Sequence, residues 1–148
     1  MTRKKISAGD LGIDVASGRD DELFKWFLAS FLFGKRISQQ IAAETYKVIV
    51  ERHGCDTVEK LAQCDRRALV DMLGEGHYRR YDESTATRLL EMCRRIQQEY
   101  DGRFGAIRQQ ARDRKDLERR LRSFKGVGPK TLEIFMREAR KAWGPWPS

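Results

Sequence analysis

The sequence predicts an all-α domain built from several short helices. Apolar residues recur at helical spacing almost everywhere after residue 19, and no stretch shows the alternation typical of a strand. The connectors between these periodic stretches are short, as in compact helical domains. The chain has 148 residues, of which 40% are hydrophobic, which is enough for one domain with its own core.

The first 19 residues differ in composition from the rest of the chain. They are polar and contain three glycines, so we predict a flexible N-terminal arm over 1–19 and a helical domain over 20–148. Asp20 or Asp21 can cap the first helix of that domain, which runs to about Phe33. This helix is apolar nearly all round, which predicts a central, buried position.

Six further helices are expected, each between a capping residue and a stop signal. Glycines mark the breaks, including a predicted loop at Gly74–Gly76 that continues to Tyr81. The predicted ranges are about 38–52, 56–61, 65–73, 82–100 (opening at Asp82 or Ser84), 113–124 (opening at Asp113 or Asp116) and 129–143.

The charge of the chain is unevenly distributed. There are 30 Lys and Arg residues against 22 Asp and Glu, a net charge of +8. Residues 1–100 carry a net charge of +1, whereas residues 101–148 carry +7. A basic C-terminal third predicts a surface for phosphates or another polyanion. The alternative, which charge alone leaves open, is solvated helix faces.

Neither a membrane nor a metal partner is predicted. The longest apolar stretch, Trp26–Phe33, is far shorter than the ~20 residues that cross a bilayer, so we expect a cytoplasmic protein. The three cysteines, Cys55, Cys64 and Cys93, form no CxxC pair and are interpreted as buried or half-buried thiols. We expect no metal and no cofactor.

The segment between the last two predicted helices carries the clearest functional signal. Gly126 and Gly128 allow a tight turn and a close approach by another backbone, and Pro129 suits a first helical turn. The amides of Gly126, Gly128 and Lys130 can then point outward and hold a phosphate, while Val127 faces inward. The pattern therefore predicts binding to a duplex backbone, although a GxG triplet can also be only a tight connector. Basic residues around it support binding, namely Arg119, Arg120, Arg122, Lys125 and Arg137.

Four stretches, in order, resemble the endonuclease III-like DNA glycosylases. Residues 121–131 (LRSFKGVGPKT) resemble the helix–hairpin–helix element of that family. Residues 31–42 (FLFGKRISQQIA) are similar to the segment whose glutamine enters the duplex where a base is flipped out. Residues 76–80 (GHYRR) resemble the glycine–aromatic–Tyr loop, and residues 100–102 (YDG) the turn before the hairpin. The resemblance covers roughly residues 22–143.

The resemblance implies a fold, an activity and roles for individual residues. It implies a compact helix–hairpin–helix domain of base-excision repair that binds damaged or abasic double-stranded DNA, as a monomer associated with the nucleoid. Gln40 matches the glutamine that fills the space of an extruded nucleotide. Lys130 matches the lysine that attacks sugar C1′ to form a Schiff base. The remaining DNA-binding candidates are Tyr78, which can stack on a base, and Lys125, Gly126, Val127, Gly128 and Thr131.

One part of the family pattern has no counterpart in the sequence. The family uses an aspartate beyond the helix that follows the hairpin, whereas no carboxylate follows Glu138 here. We expect Asp82 to cap its helix and Glu133 to pair with Arg137 rather than replace that aspartate. The expectation is therefore abasic-site cleavage through Lys130 with weak or no base excision. The alternatives are a non-catalytic DNA-binding module and a helical protein-interaction domain.

Overall fold

The computed structural model describes residues 5–144, and residues 1–4 and 145–148 lie outside this description. Eight α-helices and no strand occupy the described range, which confirms the all-α prediction. No helix in this range combines the length and the apolar character needed to cross a membrane. The helices are α1 (Asp20–Phe33), α2 (Gln39–Lys47, continued by a π turn over Val48–Arg52), α3 (Val58–Ala62), α4 (Arg66–Glu75), α5 (Asp82–Tyr100), α6 (Gly105–Gln110), α7 (Arg114–Arg122) and α8 (Pro129–Trp143).

Helix α1 is the centre of the fold, as its apolar composition predicted. Every residue from Leu23 to Phe33 except Lys25 is buried. The helix packs against α2 and against α8, while α3 and α4 pack against α5. Where α1, α6 and α8 meet, the ring of Phe27 lies 5.2 Å from that of Phe104 and 5.1 Å from that of Phe135. This aromatic cluster fixes the position of α8 relative to α1.

Residues 5–19 are packed against the helices, in contrast to the predicted flexible arm. The amide of Ala8 donates to Glu138 Oε2 at 2.7 Å, and the amide of Asp14 donates to Glu22 Oε1 at 2.8 Å. The segment forms two short 3-10 turns, Gly9–Leu11 and Val15–Ser17. Its buried apolar residues are Ala8, Leu11, Ile13 and Val15.

Some helices have the predicted side-chain cap, whereas α1, α5 and α8 match their predicted ranges without one. Ser38 accepts from the Ile41 amide at 3.1 Å, and Asp113 from the Asp116 amide at 2.8 Å. The prediction that Asp82 caps α5 is wrong, because it is the first residue of the helix and its carboxylate accepts only from the next amide. Helix α4 also continues through Gly74, where a loop was predicted, and α6 was not predicted.

Candidate functional site

The loop that connects α7 and α8, residues 123–128, turns the chain tightly between the two helices and is called the α7–α8 loop. Phe124 and Val127 are buried beneath it, as predicted for Val127. The amide of Val127 donates to the Phe124 carbonyl at 3.1 Å, and the amide of Leu132 donates to the Gly128 carbonyl at 3.1 Å. These contacts fix the main chain of the loop and place Gly128 at the start of α8.

The two glycines of the loop have different structural roles. Gly126 has φ +91°, a left-handed conformation that favours glycine. A Cβ at this position would lie 2.9 Å from Arg88 Cδ and 2.9 Å from Phe31 Cζ. Gly128 has φ −103°, which any residue adopts, and a Cβ there would meet nothing within 4 Å. Gly126 is therefore required by the fold, whereas Gly128 leaves open space on the outside of the loop.

Several main-chain amides at this corner, including the three predicted to hold a phosphate, have no acceptor in the described part of the chain. The amides of Gly126, Gly128 and Lys130 donate no hydrogen bond within residues 5–144. Pro129, the first residue of α8, has no N–H to satisfy. The partial positive charge of the α8 N-terminus adds to the effect of the free amides. An anion with several acceptor oxygens, such as a phosphate, fits this arrangement.

The predicted basic residues around the loop are only partly available. Asp116 is buried and accepts from the Arg112 amide at 3.0 Å and from Arg120 Nε at 3.0 Å, and it also pairs with Arg119. These hydrogen bonds hold the pKa of the Asp116 carboxyl well below its usual range. The single carboxylate of Asp116 therefore orients Arg119 and Arg120 but balances only one of their two positive charges. Of the predicted basic residues, Arg122, Lys125 and Arg137 form no ion pair within residues 5–144, and neither does Lys130.

Three of the predicted DNA-binding side chains are buried. Tyr78 is 0% exposed and its hydroxyl donates to the Leu32 carbonyl at 2.6 Å, so the expected stacking of its ring on a base is corrected. Burial also raises the pKa of the Tyr78 hydroxyl. Thr131 packs against Gly34 so closely that a Cβ at Gly34 would overlap Thr131 Oγ1. Thr131 and Val127 can offer only main-chain atoms to a partner.

The exposed candidates are Gln40, Lys125 and Lys130, and Lys130 lies in a groove. The groove has a volume of about 190 Å³ and runs between the start of α2, the first turns of α8 and the N-terminal segment. Gln39, rather than Gln40, lines it, and Gln39 Oε1 accepts from the Ile6 amide at 2.8 Å. Residues of the groove that carry polar chemistry are Lys5, Gln39, Lys130, Glu133 and Arg137.

The groove brings an amine and a carboxylate to one face of α8. The predicted Glu133–Arg137 ion pair is not formed, since neither side chain takes part in an ion pair within the described range. Both line the groove with Lys130 instead. The three-residue spacing of Lys130 and Glu133 places them on one helix face, and this signal could have identified Glu133 from the sequence. Chemically, such a groove can present an amine to an electrophilic carbon beside a proton acceptor.

The cysteines lie apart from this groove. Cys55 and Cys93 are buried and Cys64 is half-buried, as the sequence predicted, and the Cys55 and Cys64 Sγ atoms are 3.2 Å apart. Burial, together with the neighbouring Cys55, raises the pKa of the Cys64 thiol to about 12. Within residues 5–144, no group of three His, Cys, Asp or Glu side chains is placed to hold a metal ion.

No protein-family model matches this sequence, and neither does any curated protein or solved structure. Two features of the structure bear on function, the free amides of the α7–α8 loop and the groove around Lys130.

Proposed function

We propose that this chain is a DNA-binding protein of base-excision repair, of the endonuclease III-like helix–hairpin–helix type. The observation that carries the proposal is the set of free amides at Gly126, Gly128 and Lys130, on a loop whose outer side is open at Gly128. Lys125 and Lys130 add uncompensated positive charge beside these amides. Together they suit one stretch of phosphodiester backbone, which they would bind without reading sequence.

We further propose that Lys130 is the nucleophile of an abasic-site lyase. In the ring-opened form of an abasic site, the free amine of Lys130 attacks the C1′ aldehyde, and loss of water leaves a C=N bond. Removal of a C2′ proton then breaks the C3′–O bond, and the leaving phosphate takes the electron pair. Hydrolysis of the imine returns the lysine. Glu133 is the carboxylate in the same groove that can accept the C2′ proton.

A second candidate function, a DNA-binding module without chemistry, is favoured by a different observation. Lys130 is exposed and forms no ion pair or hydrogen bond with a carboxylate in the described part of the chain. No contact therefore orients its amine. In this case the α7–α8 loop and Gln40 contact the duplex, and no covalent bond to the DNA forms.

Borohydride trapping on a duplex with one abasic site separates the two candidates. Borohydride reduces an imine to a stable amine, so an imine-forming protein becomes covalently attached to the DNA. We expect an adduct with the wild type and with Lys141→Ala, and none with Lys130→Ala. Lys141 is the matched control because it is an exposed lysine on the same helix, α8, at the end far from the loop.

The outcomes have distinct meanings. Lack of an adduct with the wild type, together with salt-sensitive binding, would establish the non-catalytic module. An adduct of equal yield with Lys130→Ala would contradict the assignment of the nucleophile. Absence of binding to any duplex at low salt would contradict the DNA-binding proposal itself.

A further inference from the structure

Two positively charged side chains meet beside the α7–α8 loop without belonging to it. Lys35 follows the end of α1, and Arg88 lies in the second turn of α5. The Lys35 Nζ lies 5.4 Å from the centroid of the Phe31 ring, over its face. The edge of the same ring and the Arg88 side chain both pack against Gly126, where a Cβ would lie 2.9 Å from Phe31 Cζ and 2.9 Å from Arg88 Cδ. Side chains of α1 and α5 thus both pack against Gly126 of the α7–α8 loop.

The positive charges of this pair are not compensated by the protein. Neither Lys35 nor Arg88 forms an ion pair or a hydrogen bond within residues 5–144, and both are half-buried. By contrast, Arg95 on the same helix α5 pairs with Glu99 at 2.7 Å. Burial and the neighbouring positive charge of Arg88 lower the pKa of the Lys35 ammonium group. Two desolvated like charges destabilise the protein unless an anion binds between them.

We propose that Lys35 and Arg88 bind a phosphodiester group of the DNA backbone, next to the group held by the amides of the α7–α8 loop. A guanidinium offers a planar set of donors, an ammonium offers a point charge, and both are common partners of phosphate oxygens. The ring of Phe31 stabilises the Lys35 ammonium by a cation–π contact until the anion arrives.

This inference rests on the proposed DNA binding and gives the duplex a path across the protein. The backbone runs from the α7–α8 loop over Gly126 to the corner between α1 and α2. Gln40 is exposed near that corner, in the first turn of α2. A phosphate contact at Lys35 and Arg88 would let one DNA strand reach both the α7–α8 loop and Gln40. Gln40 is the residue that, by the resemblance, fills the space of an extruded base.

The test is a salt series of DNA binding, measured by fluorescence anisotropy with an undamaged duplex. The double variant Lys35→Gln/Arg88→Gln keeps the first two methylene groups of each side chain but removes both charges. Each neutralised phosphate contributes about 0.9 to the slope of log K against log salt, so we expect the slope to fall by about 1. At about 0.1 M salt this corresponds to roughly tenfold weaker binding.

Two controls isolate the site. Arg140→Gln/Lys141→Gln removes the same charge from the last turn of α8, where neither side chain forms an ion pair within residues 5–144, and we expect a nearly unchanged slope because charges at the far end of this helix are screened. Lys35→Arg/Arg88→Lys keeps both charges and should retain the wild-type slope. A melting temperature of Lys35→Gln/Arg88→Gln that is at or above that of the wild type excludes a folding defect as the cause.

Three results would overturn the inference. If the wild type binds and Lys35→Gln/Arg88→Gln binds with the same slope, this site is wrong while the proposed function stands. If the wild type binds no duplex, the proposed function fails and this inference fails with it. If inorganic phosphate raises the melting temperature of the wild type but not of this variant, and DNA affinity is equal, the site takes a free anion instead.

Discussion

At the scale of single residues, Gly126 and Gly128 show how a short GxG sequence combines two different requirements. Gly126 is constrained from inside, by its positive φ and by the contacts of Phe31 and Arg88. Gly128 is unconstrained by the protein, because the space beyond it is open. The fold does not require glycine at position 128. The absence of a side chain there fits the close approach of a DNA backbone.

Replacing Gly126 by alanine should destabilise the protein. A Cβ in the left-handed region, 2.9 Å from two side-chain carbons, forces the loop or its neighbours to move. We expect the free energy of unfolding to fall by about 2–4 kcal/mol, measured by urea denaturation. Gly128→Ala is the control, with an expected change within about 0.5 kcal/mol but severalfold weaker binding to duplex DNA. Equal stability of both variants would contradict this account of Gly126.

The candidate residues could be identified from the sequence, but the direction of their side chains could not. Val127 was predicted to face inward because it lies between two turn-forming glycines, and it does. Tyr78 was expected to be available for stacking because it lies in a predicted loop. Its ring is buried instead, and its hydroxyl donates a hydrogen bond to the Leu32 carbonyl, 46 positions away in sequence. Such a partner cannot be deduced from local sequence.

At the scale of the elements, helix bounds were predictable with or without a side-chain cap, since α1, α5 and α8 match the predicted ranges although no side chain caps them. Helix α7 has Asp113 as its cap and Asp116 as the acceptor for two arginines of the same helix. Helix α6 was missed because it spans only Gly105–Gln110 and lacks a side-chain cap. Its formation depends on the burial of Ala106 and Ile107 against other helices.

The ion pairs of Asp116 should make part of the stability of the protein depend on pH. The pKa of Asp116 is lowered in the folded state, so its contribution is present above the ordinary value of 3.8 and is lost as the pH falls below it. We therefore expect Asp116→Asn to be less stable than the wild type at pH 7, with a difference that closes as the pH falls below about 4. Thermal unfolding at a series of pH values measures this difference.

Glu118→Gln is a suitable comparison for that experiment. Glu118 lies on the same helix and pairs with Arg114 at 3.0 Å, but it is far more exposed than Asp116. We expect its effect to be smaller than that of Asp116→Asn at neutral pH. A difference between wild type and Asp116→Asn that stays constant down to pH 2 would show that the buried ion pairs do not contribute as described.

At the scale of the whole molecule, the largest departure from the sequence prediction is the packing of residues 5–19. Glycines separate the apolar residues of this segment, so it shows no helical periodicity. Its burial depends on the surface that α1 and α8 provide, and on Glu22 and Glu138 as acceptors for its amides. Hydrophobic periodicity along the sequence predicts the all-α class of the fold. The packing of residues 5–19, by contrast, depends on contacts between residues that are far apart in the sequence.

Ile13 tests whether this segment belongs to the core. It is 4% exposed, whereas the adjacent Asp14 is exposed. We expect Ile13→Ala to lower the free energy of unfolding by about 2–4 kcal/mol, as for other buried aliphatic residues, and Asp14→Ala to have little effect. Chemical denaturation of the two variants measures this. Two equally small changes would restore the interpretation of residues 5–19 as a flexible arm.

The two close glycine contacts of α1 have a consequence for the DNA. Gly34, directly after α1, packs on Thr131, and Phe31, within α1, packs on Gly126, so the corner with Gln40 and the start of α8 with Lys130 are held by the same helix. The distance between this corner and the start of α8 cannot increase without breaking these contacts. In the proposed complex, any mismatch between this spacing and the duplex would therefore be taken up by the DNA. Lesions that make DNA easier to bend or unstack would then be preferred through their flexibility, without any contact to the damaged base.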